Sequence, residues 1–158
     1  MQASKKVLDE LVSTKDIDRA KQLVSKFGEL GKDCTDFVNA YKTLEEYIKR
    51  YSIERPETVP LLCVARKYLT GTNLGKNKIK NGRIIRQKLL YGEIDDLSMI
   101  YCWCAAELFG PEWIKKLCRD LVKERCAEES AILICRIHDH TTVGIPRNVM
   151  ERIKSYVY

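Results

Sequence analysis

Six cations, Lys76, Lys78, Lys80, Arg83, Arg86 and Lys88, crowd into residues 76–88, and the chemistry such a cluster performs is anion binding. They belong to a longer stretch, Thr58 to Gly92, that carries eight Lys and Arg and no Asp or Glu. Residues 1–57 hold 11 cations against 11 acids and residues 93–158 hold 9 against 11, so the stretch accounts for the net charge of +6. Solvated faces ordinarily interleave both signs, whereas a run of one sign points to a phosphate-rich partner. The attraction extends over a Debye length of about 8–10 Å. None of the six is arranged to read base edges, so a nucleic acid would be met at its phosphates. RNA, DNA and lipid headgroups satisfy that charge equally well.

Other residues with reactive side chains form weaker constellations. Cys126, Cys135, His138 and His140 have the ligand types of a zinc site. On a helix, however, His138 and His140 point about 200° apart, and Cys126 and Cys135 stand about 13 Å apart along the axis. Cys102 and Cys104 have the same opposed-face problem, and no Cys-x-x-Cys knuckle occurs. His138-Asp139-His140 is accompanied by no nucleophile elbow, phosphate loop, HExxH or paired-carboxylate frame. Gly71, Gly75 and Gly82 do not form a phosphate-binding loop either. The sequence therefore predicts no catalytic residue, no metal site and no cofactor. Seven cysteines, an odd number, lie mostly inside helical patterns, which implies a reducing compartment and free thiols.

The elements that must position the basic cluster are helices. With 45% apolar and 32% charged residues, the chain has the composition of a soluble globular protein with a real core. No apolar run reaches the roughly 20 residues of a membrane span, and MQASKKVLDELV has no secretory apolar block. Apolar residues recur at helical spacing in nine segments, beginning near Ala3, Ile17, Asp33 or Thr35, Thr58, Lys78 or Asn81, Asp95, Pro111, Ala127 and Pro146. Asp16 and Asp33 suit N-caps, Gly92 and Gly110 suit stops, and Pro60, Pro111 and Pro146 suit first turns. In the fifth helix Lys80, Arg83 and Arg86 share a face about 120° wide, opposite Ile85 and Leu89. Trp103, Phe109 and Trp113 are expected to pin the sixth helix to the seventh. Strand alternation is nowhere convincing, and only ILICRI is ambiguous. The expectation is an all-α fold of about nine short helices in two packed bundles, with YSIERPETVP as an internal seam.

This helix order resembles the N-terminal domain of orthomyxovirus matrix proteins, the influenza and thogotovirus type. The residues that carry the resemblance are Arg55-Pro56 followed by Pro60-Leu61, then LTGT, then GRIIRQKLLYG, then a short helix around MIYCW and a terminal run of apolar helices. It covers roughly residues 50–158 as a pattern of features, with little identity. The resemblance implies a non-enzymatic matrix domain that polymerises beneath a viral envelope and bridges it to the ribonucleoprotein. The matching cations are Lys76, Lys78, Lys80, Arg83, Arg86 and Lys88. Two features of the influenza type have no counterpart: YCWCAAELF lacks its second basic cluster, and RNVMERIKSYVY lacks its Cys/His motif. A nuclear-localisation signal and a zinc site are therefore not carried over. Family members continue with a further helical region, which implies that this chain corresponds to an N-terminal domain.

The expected organisation is a helical bundle over residues 1–70, a basic loop and helix over 71–92, and a second bundle over 93–158, all within one compact unit. The expected partners are viral ribonucleoprotein or RNA, an acidic membrane surface bound peripherally, and further copies of the chain. The resemblance places the protein in the virion beneath the envelope and in host cytoplasm, with the nucleus as a further site. Two other readings stay open: a small helical RNA-binding regulator such as a viral suppressor of host responses, and a helical adaptor whose basic face docks an acidic protein.

Overall fold

The computed structural model describes residues 3–140 and residue 151. Among them eight α-helices and two 3-10 turns occur and no strand: α1 (Ala3–Leu11), α2 (Ile17–Glu29), α3 (Cys34–Glu54), α4 (Val59–Thr70), α5 (Lys78–Tyr91), α6 (Asp96–Leu108), α7 (Pro111–Glu124) and α8 (Ala127–Asp139). The expected ninth helix, opening at Pro146, lies outside the described residues apart from Glu151, which is helical. ILICRI is the interior of α8. No helix among the described residues is long and apolar enough to cross a membrane. The contacts divide the chain into two compact units, Met1–Asn81 and Gly82–Tyr158. The division falls inside α5, within the segment 71–92.

The first unit is built around α4. Its sequence VPLLCVA is apolar on every side, and such a helix is stable only when surrounded. Val59 to Arg66 are all buried, and α1, α2 and α3 pack against it. These three contribute Leu8 and Leu11, then Leu23, Val24 and Phe27, then Leu44, Tyr47 and Ile48. Asp16 and Asp33 act as N-caps, their carboxylates accepting from the backbone N–H of Asp18 and Asp36. A 3-10 turn at Leu30–Lys32 follows α2, and there a Cβ on Gly31 would lie 2.5 Å from the Leu69 carbonyl oxygen. Only glycine lets this turn close onto the end of α4. Gly71 then ends α4 in the left-handed conformation, with φ of 77°. The Pro56–Thr58 connection makes a corner between α3 and α4, which pack on each other. YSIERPETVP is thus a turn inside the first unit, not a seam.

In the second unit α6 has the enclosed role. Ile100 to Ala105 are all buried, and α8 packs against both α6 and α7. Asp95 and Ser98 form a reciprocal capping box that starts α6. Phe109 and Trp113 stack with centroids 3.9 Å apart across the turn into α7, while Trp103 is buried within α6. Arg125 closes the other end of α5: its Nε donates to the Leu89 carbonyl at 2.7 Å and Nη2 to the Gly92 carbonyl. Helix C-termini leave carbonyls without intrahelical donors, and a guanidinium supplies them.

Candidate polyanion-binding surface

The eight cations of the 58–92 stretch do not share one fate. Arg66, on α4, is interior: only 3% of the residue is exposed. Its Nη1 donates to Glu45 Oε1 at 3.2 Å, and its Nη2 to the Lys76 carbonyl at 2.9 Å and to Asn77 Oδ1 at 3.3 Å. One guanidinium therefore ties α3 and α4 to the turn that opens α5. That turn uses positive φ at Gly75 (74°) and Asn77 (66°), the latter a residue type that tolerates the left-handed region.

Lys76, Lys78 and Lys80 follow this clamp. Lys76 and Lys78 are exposed and Lys80 is half-buried, and none of the three makes an ion pair among the described residues. The first turn of α5 contains no acid, so nothing local offsets either the lysines or the positive end of the helix dipole. Two exposed apolar residues accompany the lysines, Leu74 at 42% two positions before Lys76 and Ile79 at 79% between Lys78 and Lys80. Their exposure was not read from the sequence. The available signal was the wheel position of Ile79, one turn before Arg83 and away from Ile85 and Leu89.

In the second unit α5 buries Gly82, Ile85 and Leu89, so the apolar face is the expected one. Arg83 is exposed and makes no ion pair among the described residues. Arg86 and Lys88 are different. Arg86 Nη2 lies 2.5 Å from Asp120 Oδ2 on α7, and Lys88 Nζ lies 2.9 Å from Asp95 Oδ2 at the start of α6. Burial raises the Asp120 carboxyl, but the Arg86 hydrogen bond and the charges of Arg86 and Lys116 outweigh it and leave it below the ordinary carboxylate range. At Asp95 burial is likewise outweighed, by Lys88 and by backbone N–H donors of α6. The stretch has no acids of its own, yet folding brings Glu45 to Arg66, Asp120 to Arg86 and Asp95 to Lys88. Arg86 and Lys88 are therefore withdrawn as candidates, which leaves Lys76, Lys78 and Lys80 in the first unit and, separately, Arg83 in the second.

The cysteines and histidines are dispersed. Cys126 is the N-cap residue of α8, Cys135 lies mid-helix, His138 is exposed near its end and His140 is its C-cap. Among the described residues no group of three or more His, Cys, Asp or Glu could hold a metal ion. Burial pushes the Cys102 and Cys118 thiols up to about 12, which keeps both protonated at neutral pH. No protein-family profile, no curated protein and no solved structure matches this chain.

Proposed function

We propose that this is a non-enzymatic, matrix-type structural protein. It self-associates and uses cations without ion-pair partners to hold phosphate-rich partners, the RNA of a ribonucleoprotein and an acidic membrane surface. Lys76, Lys78 and Lys80 carry that contact in the first unit, and Arg83 adds to it separately in the second. The observation that supports the reading most is that these four have no ion-pair partner among the described residues, within a stretch that supplies no acid. Phosphate neutralisation is the commonest use of such a cluster, and it needs no reading of bases. The proposed place of the protein in a virion rests on the matrix resemblance, which the helix order suggests.

Sedimentation of the chain alone, with single-stranded RNA, and with vesicles containing phosphatidylserine tests the reading. Ordered, concentration-dependent assembly together with salt-sensitive binding is the expected result. On RNA the triple variant K76Q/K78Q/K80Q should flatten the log–log salt slope by about 2, at roughly 0.7 per phosphate released. R83Q should flatten it by about 0.7, and R86Q should leave it unchanged. Tight RNA binding by a discrete oligomer that never assembles further would replace the matrix role with that of an RNA-binding regulator. Indifference to RNA and vesicles alike would refute the polyanion surface.

A further inference from the structure

We infer that Leu74 and Ile79 are membrane anchors, and that the 74–80 segment docks on a bilayer surface bearing anionic phospholipid. This rests on the polyanion reading and names the partner that its first-unit lysines favour. Ile79 is 79% exposed, second among the described large apolar residues to Ile53, and Leu74 is 42% exposed. Both belong to LGKNKIK, where Lys76, Lys78 and Lys80 stand within a few positions of them. A partner for this segment must offer negative charge and an apolar phase together.

Three occupants can be compared on that requirement. RNA offers phosphates and base faces, but single strands are gripped by aromatic stacking platforms, and the exposed residues here are aliphatic. A second copy of the chain would cover Leu74 and Ile79 but would bring a second set of unpaired lysines against the first. An anionic bilayer meets both demands, since headgroups neutralise the ammonium groups while the aliphatic side chains enter the headgroup–acyl boundary. The long lysine stems allow their charges to stay at headgroup level as the neighbouring side chains descend. Arg66 supports the geometry from inside the first unit by holding the Lys76 carbonyl and Asn77 Oδ1, so the turn is already shaped before it meets lipid.

The experiment compares the wild-type chain, L74S/I79S and K76Q/K78Q/K80Q on vesicles of phosphatidylcholine alone or mixed with phosphatidylserine, and on single-stranded RNA. Wild type should bind the mixed vesicles and keep a fraction of that binding at high salt. L74S/I79S should lose that salt-resistant fraction and about tenfold or more in affinity for mixed vesicles, with RNA affinity unchanged. K76Q/K78Q/K80Q should lose about fivefold per lysine on the same vesicles. Because both apolar residues are exposed, L74S/I79S should melt like wild type, and circular dichroism checks this. If L74S/I79S binds mixed vesicles as wild type does while the lysine variant fails, the anchor is overturned and the polyanion reading stands. If both variants match wild type on vesicles and RNA, both readings fall. A change in the self-sedimentation of L74S/I79S with unchanged vesicle binding would assign the pair to a second copy and overturn the anchor. Independently, I79W should gain a blue-shifted emission on adding mixed vesicles, beyond the background of Trp103 and Trp113. No shift in the bound protein would refute insertion.

Discussion

Replacing Arg66 by Met removes a charge from the inside of the first unit, although the sequence places this residue in the basic stretch. The guanidinium is nearly enclosed, its side chain 4% exposed against 34% for Glu45, and it bonds Glu45 Oε1, the Lys76 carbonyl and Asn77 Oδ1. Deleting one partner of a buried pair costs about 3–5 kcal/mol, mainly through the charge left behind. Glu45 is about a third exposed and can recover water, which lowers the expected cost to roughly 2–4 kcal/mol. For a chain of this length that corresponds to a fall in melting temperature of roughly 4–16 °C, at about 2–4 °C per kcal/mol. Arg66→Lys should fall between Met and wild type, because an ammonium keeps the attraction to Glu45 but cannot fork to three acceptors. Thermal melts give the stability, and hydrogen exchange gives its location. The Asn81 amide, which donates to the Asn77 carbonyl at 2.8 Å, should exchange faster in R66M. A melt within about a degree of wild type, with Asn81 protection intact, would refute the clamp.

Three other outcomes follow from the same geometry. D120N should cost about 1–2 kcal/mol at neutral pH by weakening the ion pair to Arg86. The folded-state value of Asp120 is depressed, so its contribution is present above the unfolded value of about 3.9 and is lost as pH falls through the folded value; an acid titration of D120N should be flatter in that window. An equally steep titration would assign the acid sensitivity elsewhere. G31A should destabilise by about 1–3 kcal/mol, because the added Cβ meets the Leu69 carbonyl oxygen at 2.5 Å and backbone must move; unchanged denaturant midpoints would contradict that approach. Thiol labelling of the native protein should modify Cys34 and Cys126 quickly, Cys135 more slowly, and Cys63, Cys102, Cys104 and Cys118 only on unfolding. Fast labelling of Cys102 would contradict its burial.

Helix positions were legible because their causes are local. Asp16, Asp33 and Asp95 cap within two or three residues of themselves, and Pro111 fits a first turn without reference to the rest of the chain. The enclosure of α4 and α6 was also legible in part, since an all-round apolar helix has no face to give to water. The Pro56 corner misled for the opposite reason. A proline pair records a break in backbone hydrogen bonding, but whether the two sides separate or pack is decided by α3 and α4, whose apolar faces meet.

The basic surface divides along the same line. Sequence by itself determined that residues 58–92 carry eight cations and no acid, and that Arg83 lies opposite Ile85 and Leu89 on α5. Those statements depend only on composition and on a period of about 3.6 residues. Tertiary structure alone decided which charges remain available. Asp120 and Asp95 reach Arg86 and Lys88 from other helices, and Glu45 reaches Arg66 from α3 across a separation of 21 residues. Coulomb energy depends on distance in space, and nothing in the order of residues records which acid will close to within 4 Å of which cation. The exposure of Leu74 and Ile79 belongs to the same category, because an apolar side chain in a turn becomes core or surface according to what packs over it.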